Sequence, residues 1–209
     1  MSASNVPRWL EWARQIQALG QTGLTYSQTE YDRERYQRLT EIAAEIVQSH
    51  TLLPKQAILD NFQLQPGYAT PKVDVRGAGT RNGKVLLVQE RSDKLWCLPG
   101  GWADVGETPS ATVVREVIEE SGFEVVARKL VGVYDANRSN GPLESHHAYK
   151  IVFLCDLVGG EPRPSHETLA VEFFAFDELP PLSTKRTSER HLRDLLAHIQ
   201  DPGCPTFFD

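Results

Sequence analysis

Three cysteines, one methionine and no long apolar run are the first things the chain withholds. Cys97, Cys155 and Cys204 are odd in number, far apart and without CxxC spacing. That pattern excludes a disulfide framework and a cysteine zinc site, and it fits reduced thiols in a cytoplasmic protein. No apolar run approaches the ~20 residues that span a bilayer. The opening MSASNVPRWLEW has no apolar stretch of the secretory kind. No membrane partner is expected. Basic charge is also scarce: the net charge is −6, and Lys and Arg form no long run. Indiscriminate binding to nucleic acid is therefore not favoured. There is no internal repeat and no low-complexity tract.

What is present is a chain of 209 residues with 40% hydrophobic content. That suits one domain or two small ones with a real core. The densest chemistry lies between Gly101 and Phe123, GWADVGETPSATVVREVIEESGF. Thr108 is a good N-cap, Pro109 fits the first helical position, and Gly122 is a natural stop. At about 100° per residue, Ala111, Val114, Val117 and Ile118 share one face of the helix between them. Glu116, Glu119 and Glu120 share the opposite face. Carboxylates this close repel one another unless something neutralises them. A divalent cation with a taste for oxygen, Mg²⁺ or Mn²⁺, does so. A Glu-rich helix face is ordinarily solvated surface. Here, however, Leu98-Pro99-Gly100-Gly101 can bring backbone, and a carbonyl ligand, up to the acids.

The order is Gly101, five residues, Glu107, seven residues, Arg115-Glu116-Val117, one residue, Glu119-Glu120, one residue, Gly122, Phe123. It resembles the Nudix box at every charged and glycine position; only Phe123 stands where an aliphatic residue is commoner. The resemblance implies an α/β fold, a Nudix α/β/α sandwich around a mixed sheet, and metal-dependent hydrolysis of a pyrophosphate. It implies that Glu116, Glu119 and Glu120 bind the metal, with the Gly101 carbonyl. Arg115 would orient the acids, and Glu107 would support the loop or a further metal through water. A general base must also reach the attacking water. Glu116 or Glu119 could serve, and so could Glu167, because some Nudix pyrophosphatases place a loop carboxylate there.

The chain before the box reads as helical. Pro7 to Leu19 forms one helix, marked by Trp9, Trp12, Ala13, Ile16 and Leu19. A turn is expected around Gly20 and Gly23. A second helix follows, with Ser27 and Glu30 as a capping box and Tyr26 and Tyr31 as a staple, and runs to about Ser49. A third spans Pro54 to Phe62. Pro66, Gly67 and Pro71 mark a boundary, giving a helical domain over 1–66 and a Nudix domain over 67–209. The segment WLEWARQIQALGQTGLTYSQTEYDRERY resembles the accessory domain of a Nudix subgroup. That subgroup includes CDP-choline pyrophosphatases, and its members are often labelled ADP-ribose pyrophosphatases. This implies a homodimer built partly through the helices.

Strands are expected over Lys72–Gly77, Lys84–Gln89, Glu124–Tyr134, His147–Leu157 and Leu169–Phe176, with Asn82-Gly83 as a hairpin turn and Trp96–Leu98 leading into the box. Asp135–Ser145 is a long loop of the kind that contacts ligand. Thr187–Gln200 closes the chain as a helix. Arg76, Arg91, Arg138 and Lys150 are candidates for phosphate contact. Tyr134 and Tyr149 are candidates for stacking on a base. CDP-choline, cleaved to CMP and phosphocholine, is the favoured substrate by resemblance, and ADP-ribose is second. Trimming of RNA 3′ ends is possible but disfavoured by the acidic charge. A nucleotide sensor without catalysis would be expected to lose box carboxylates, and all are present.

Overall fold

The computed structural model describes residues 7–63, 67–104, 106–136 and 147–209. They fall into two units: the described residues up to Pro71, with His147, form the first, and the others from Lys72 onward form the second.

The first unit holds α1 (Arg8–Tyr26), α2 (Glu30–Ser49) and α3 (Lys55–Gln63). Ala13, Ala44, Val47 and Ile58 form its small core. The helix α1 does not stop at Leu19 but runs on through Gly20 and Gly23. Both glycines are packing devices instead of breakers. A Cβ at Gly20 would sit 2.6 Å from Oγ1 of Thr40, and one at Gly23 would fall inside the Tyr36 ring. The expected cap of α2 also moves. Thr29, not Ser27, accepts from the Asp32 amide, while the Ser27 hydroxyl has no hydrogen-bond partner among the described residues.

The second unit is an α/β layer structure. Its strands are β1 (Lys72–Arg81), β2 (Lys84–Glu90), β3 (Trp96–Cys97), β4 (Phe123–Asp135), β5 (Ala148–Gly160), β6 (Thr168–Ala175) and β7 (Phe207–Phe208). Its helices are α4 (Pro109–Ser121) and α5 (Glu189–Gln200). The sheet order is β3-β2-β1-β5-β4-β7, with β6 paired to β2. The strands β1 and β5 run parallel, and so do β4 and β7; the other pairs are antiparallel. The mixed sheet carries one core on each face. Val75, Leu86, Val88, Val113, Val117 and Phe123 pack on the α4 side. Ala78, Val85, Leu87, Val131, Leu192 and Leu195 pack on the α5 side. The run Val85-Leu86-Leu87-Val88 is apolar throughout because β2 feeds both cores in alternation.

The strands β1 and β2 pair only near their hairpin tip, through Thr80 with Val85 and Arg81 with Lys84. Beyond the tip, the loop into α4 takes over the edge of β1. The Gly77 amide donates to the Pro99 carbonyl at 2.9 Å and the Val75 amide to the Gly101 carbonyl at 2.8 Å. The Ala103 amide closes the run by donating to Val73 at 2.9 Å. This pairing fixes the loop against the sheet and positions the site. Among the described residues, no helix is long and apolar enough to cross a membrane.

Candidate active site

Local chemistry builds α4 as its sequence implies. The Thr108 hydroxyl accepts from the Ala111 amide, Pro109 starts the helix, and Gly122 ends it at a φ of 76°. The inward face differs from the expected one. Thr112, Val113, Val117, Glu120 and Ser121 are buried, whereas Ala111 is exposed and Ile118 only half-buried. The three acids therefore do not share one surface. Glu120 is 5% exposed, and its Oε2 accepts from the Gly100 amide at 2.9 Å. Glu116 presses against Gly101, where a Cβ would come within 2.8 Å of Oε2. Only glycine leaves room for that carboxylate. Glu119 turns outward, with its side chain 58% exposed.

Arg115 ties the acids together. Its Nε and Nη2 donate to the two carboxylate oxygens of Glu107, both at 2.9 Å. Its Nη1 donates to Glu116 at 2.9 Å and to Glu119 at 3.1 Å. The fork of hydrogen bonds from Arg115 holds the Glu107 carboxyl down at about 2. Burial pushes Glu120 the other way, up to about 7, with Arg76 and the Gly100 amide pulling back. Burial also raises Glu116, against the attraction of Arg115. Among the described residues, no three His, Cys, Asp or Glu side chains stand close enough to hold a metal ion as placed. Glu119 would have to release Arg115 to join Glu116 and Glu120. The donor set itself fits a hard divalent cation: two inward carboxylates, both with raised pKa, held against the Gly100-Gly101 backbone. Negative charge held largely out of water is what such an ion helps to neutralise.

Residues 71–196 match the NUDIX domain. Residues 7–62 match a second family, described as a UDP-X-like, N-terminal oligomerisation domain. The chain is 40% identical over 202 residues to YjhB of Bacillus subtilis (strain 168), a protein provisionally named an ADP-ribose pyrophosphatase. That alignment covers 97% of each chain. The chain belongs to the Nudix hydrolase family. Two solved structures resemble it. A crystal structure titled UDP-X diphosphatase is 31% identical, with a TM-score of 0.63 over 96% of this chain and 98% of that one. An ADP-ribose pyrophosphatase from Streptococcus suis 89-1591 is 41% identical, with a TM-score of 0.62 over 67% of this chain and 100% of that one.

Around the Nudix box the structure rearranges the remaining candidates. Arg76 and Lys150 are buried on either side of Asp74 and do not present themselves to a ligand. Nε of Arg76 lies 2.8 Å and Nζ of Lys150 2.7 Å from the Asp74 carboxylate. Burial works against the Asp74 charge, yet Arg76 and Lys150 hold its carboxyl below the ordinary range. The two cations therefore complete a buried ion cluster within the sheet, set by the parallel pairing of Asp74 with Lys150. Tyr134 is also buried, its hydroxyl 3.1 Å from Oδ2 of Asp194, so as placed it cannot stack on a base. Arg91 stays at the surface but spends its guanidinium on the carbonyls of His166, at 2.9 Å, and Thr168, at 3.3 Å. Arg138 lies outside the described residues. Tyr149 is partly exposed on β5.

Glu167 is brought towards α4 by its neighbour: the Thr168 hydroxyl donates to the Glu120 carbonyl at 2.9 Å. Its own carboxylate is exposed, with His166 at 3.2 Å. The residue that the sequence reading passed over is Trp102. It pairs in a bridge with Asp74, stands next to Gly101, and is 47% exposed. Its place directly after the first box glycine was the available signal.

Proposed function

We propose that the protein hydrolyses the pyrophosphate bond of a nucleoside diphosphate joined to a second moiety. The observation that supports this most is the inward placement of Glu116 and Glu120 against the Gly100-Gly101 backbone, on a complete Nudix box. In this reading Glu116, Glu120 and the Gly101 carbonyl would hold Mg²⁺ or Mn²⁺, and Glu119 would join them by releasing Arg115. Such an ion, when bound, supplies neutralisation of the diphosphate oxygens and a lower pKa for water. The grip of Arg115 on Glu107 keeps the loop before α4 in place. Water attacks one phosphorus, the bridging P–O bond breaks, and the water's proton passes to the Glu167 carboxylate. Glu167 takes this part because its carboxylate is exposed, whereas Glu119 is claimed by Arg115 or, once released, by the metal. Trp102 supplies the aromatic face for the base that buried Tyr134 does not.

ADP-ribose, yielding AMP and ribose 5-phosphate, takes first place because the Bacillus relative aligned over both units carries that name. UDP-linked compounds and CDP-choline follow. RNA ends stay outside this reading, given a net charge of −6. A homodimer through the helical unit fits the family description of residues 7–62. Cytoplasmic residence fits three free cysteines.

The test is to incubate purified protein with Mg²⁺ or Mn²⁺ and, separately, ADP-ribose, UDP-glucose and CDP-choline, and to separate the products by anion exchange. Release of a nucleoside monophosphate, stopped by EDTA and fastest from ADP-ribose, is the expected result. Absence of cleavage of all three overturns the reading.

A further inference from the structure

The helix α1 carries three large apolar side chains at the surface. Trp12, Leu19 and Tyr26 are 51%, 64% and 67% exposed. They are seven residues apart, so each is turned only about 20° from the last, and together they make one stripe. The stripe runs roughly 21 Å along the helix at 1.5 Å per residue. It is separate from the stripe that builds the helical unit. Ala13 and Gly20 pack inward, with Gly20 against Thr40, and lie about 100° around the helix from Trp12 and Leu19. Arg8 rests over the Trp12 ring at 5.3 Å, and Gln15 is exposed beside the stripe. Exposed large apolar side chains aligned on one helix face and edged by polar residues mark a contact surface.

We infer that this stripe is the seam of the homodimer, with α1 packed antiparallel on α1 of a second copy and Leu19 at the two-fold axis. The inference rests on the dimer reading above and goes beyond it by naming the face and the register. Two features select a second copy as the occupant. The first is the family description of residues 7–62 as an oligomerisation domain, which includes all of α1. The second is symmetry. A two-fold interface must be complementary to itself. The stripe is symmetric in spacing about Leu19, so an antiparallel pair sets Leu19 on Leu19 and Trp12 on the partner's Tyr26. Seven-residue spacing is also the pattern that keeps two helices in contact along their length. Large aromatic side chains bury about 150–250 Å² each. Three positions per copy thus form a centre to which Arg8 and Gln15 add a polar rim.

The test uses the full chain with Cys204→Ser, since Cys97 and Cys155 are buried. Light scattering of the unaltered protein at micromolar concentration comes first and reports on the dimer alone. A short bis-maleimide is then applied to Leu19→Cys, to Trp12→Cys, and to an equimolar mixture of Trp12→Cys and Tyr26→Cys chains. The register predicts a cross-linked dimer for Leu19→Cys and for the mixture, and none for Trp12→Cys alone, whose two copies would lie about 21 Å apart. Leu19→Arg should elute as a monomer with an unchanged circular dichroism spectrum. A monomeric unaltered protein overturns both the dimer and the seam. A dimer that survives Leu19→Arg, or that fails to cross-link through Leu19→Cys, overturns the seam and leaves the dimer standing.

Discussion

Arg115 holds Glu107 by a planar fork, two hydrogen bonds of 2.9 Å to the two oxygens of one carboxylate. The same guanidinium reaches Glu116 and Glu119. One residue therefore sets both the loop before α4 and the direction of Glu116, while its bond to Glu119 is the one that metal binding would exchange. Lysine keeps the charge but has no fork. Arg115→Lys should weaken Mn²⁺ binding by about 10–100-fold, the scale found when the groups that orient metal ligands are lost. Titration of Mn²⁺ followed by electron paramagnetic resonance checks this. Unchanged affinity would mean that Arg115 does not organise a metal site.

Glu120→Gln separates charge from shape. Glutamine can still accept from the Gly100 amide through its oxygen, so the loop should stay in place and the melting temperature should not fall. What is lost is an anionic ligand. Turnover should drop by at least about 100-fold, in line with removal of a group that acts on the transition state. Near-normal turnover in saturating Mg²⁺ would remove Glu120 from the metal site.

Trp102 tests the base-stacking proposal. Stacking of a base on an aromatic is worth about 1–3 kcal/mol. Trp102→Ala should raise KM for the preferred nucleotide by roughly 5–150-fold with kcat nearly kept, the pattern of uniform binding lost. Trp102→Phe should recover most of the affinity. The variant's tryptophan fluorescence should no longer respond to AMP. An unaltered KM in Trp102→Ala would place the base elsewhere.

The parts of this fold that sequence reasoning reached are those governed by local chemistry. The Thr108 and Gly122 caps and the order of residues in the Nudix box depend on neighbours within a few residues. The parts that escaped depend on what lies across space. Arg76 and Lys150 read as phosphate ligands because nothing in the chain says that Lys150 pairs with Asp74, 76 residues away. Glu119 and Glu120 are adjacent in sequence, yet only the packing of α4 on β1 decides that one is buried. Gly20 and Gly23 look the same whether they break a helix or let two helices touch. Trp12 and Leu19 mark a face of α1 in the sequence, but periodicity reveals a face, not what covers it.

His191 gives a prediction in pH. It lies in the first turn of α5, is buried, and its Nδ1 accepts from the Ser188 amide at 3.1 Å. That bond requires an unprotonated Nδ1, and so the neutral ring. Burial, with Lys150 nearby, pushes the His191 pKa down to about 3 from an ordinary 6.5. The folded protein thus binds a proton less readily here than the unfolded chain. Stability is whole above pH 6.5 and is lost as the pH falls from there towards 3, at up to about 1.4 kcal/mol per unit. Between pH 7 and pH 5 this one ring should cost about 2 kcal/mol. Glutamine at the position can accept from Ser188 and does not titrate. His191→Gln should therefore lose less stability over that interval than the unaltered chain, by about the same 2 kcal/mol, whatever its stability at pH 7. Urea unfolding at the two pH values measures the difference. Carboxylates and His198 titrate in both proteins and cancel in the comparison, so equal losses would show that His191 is not held neutral by its surroundings.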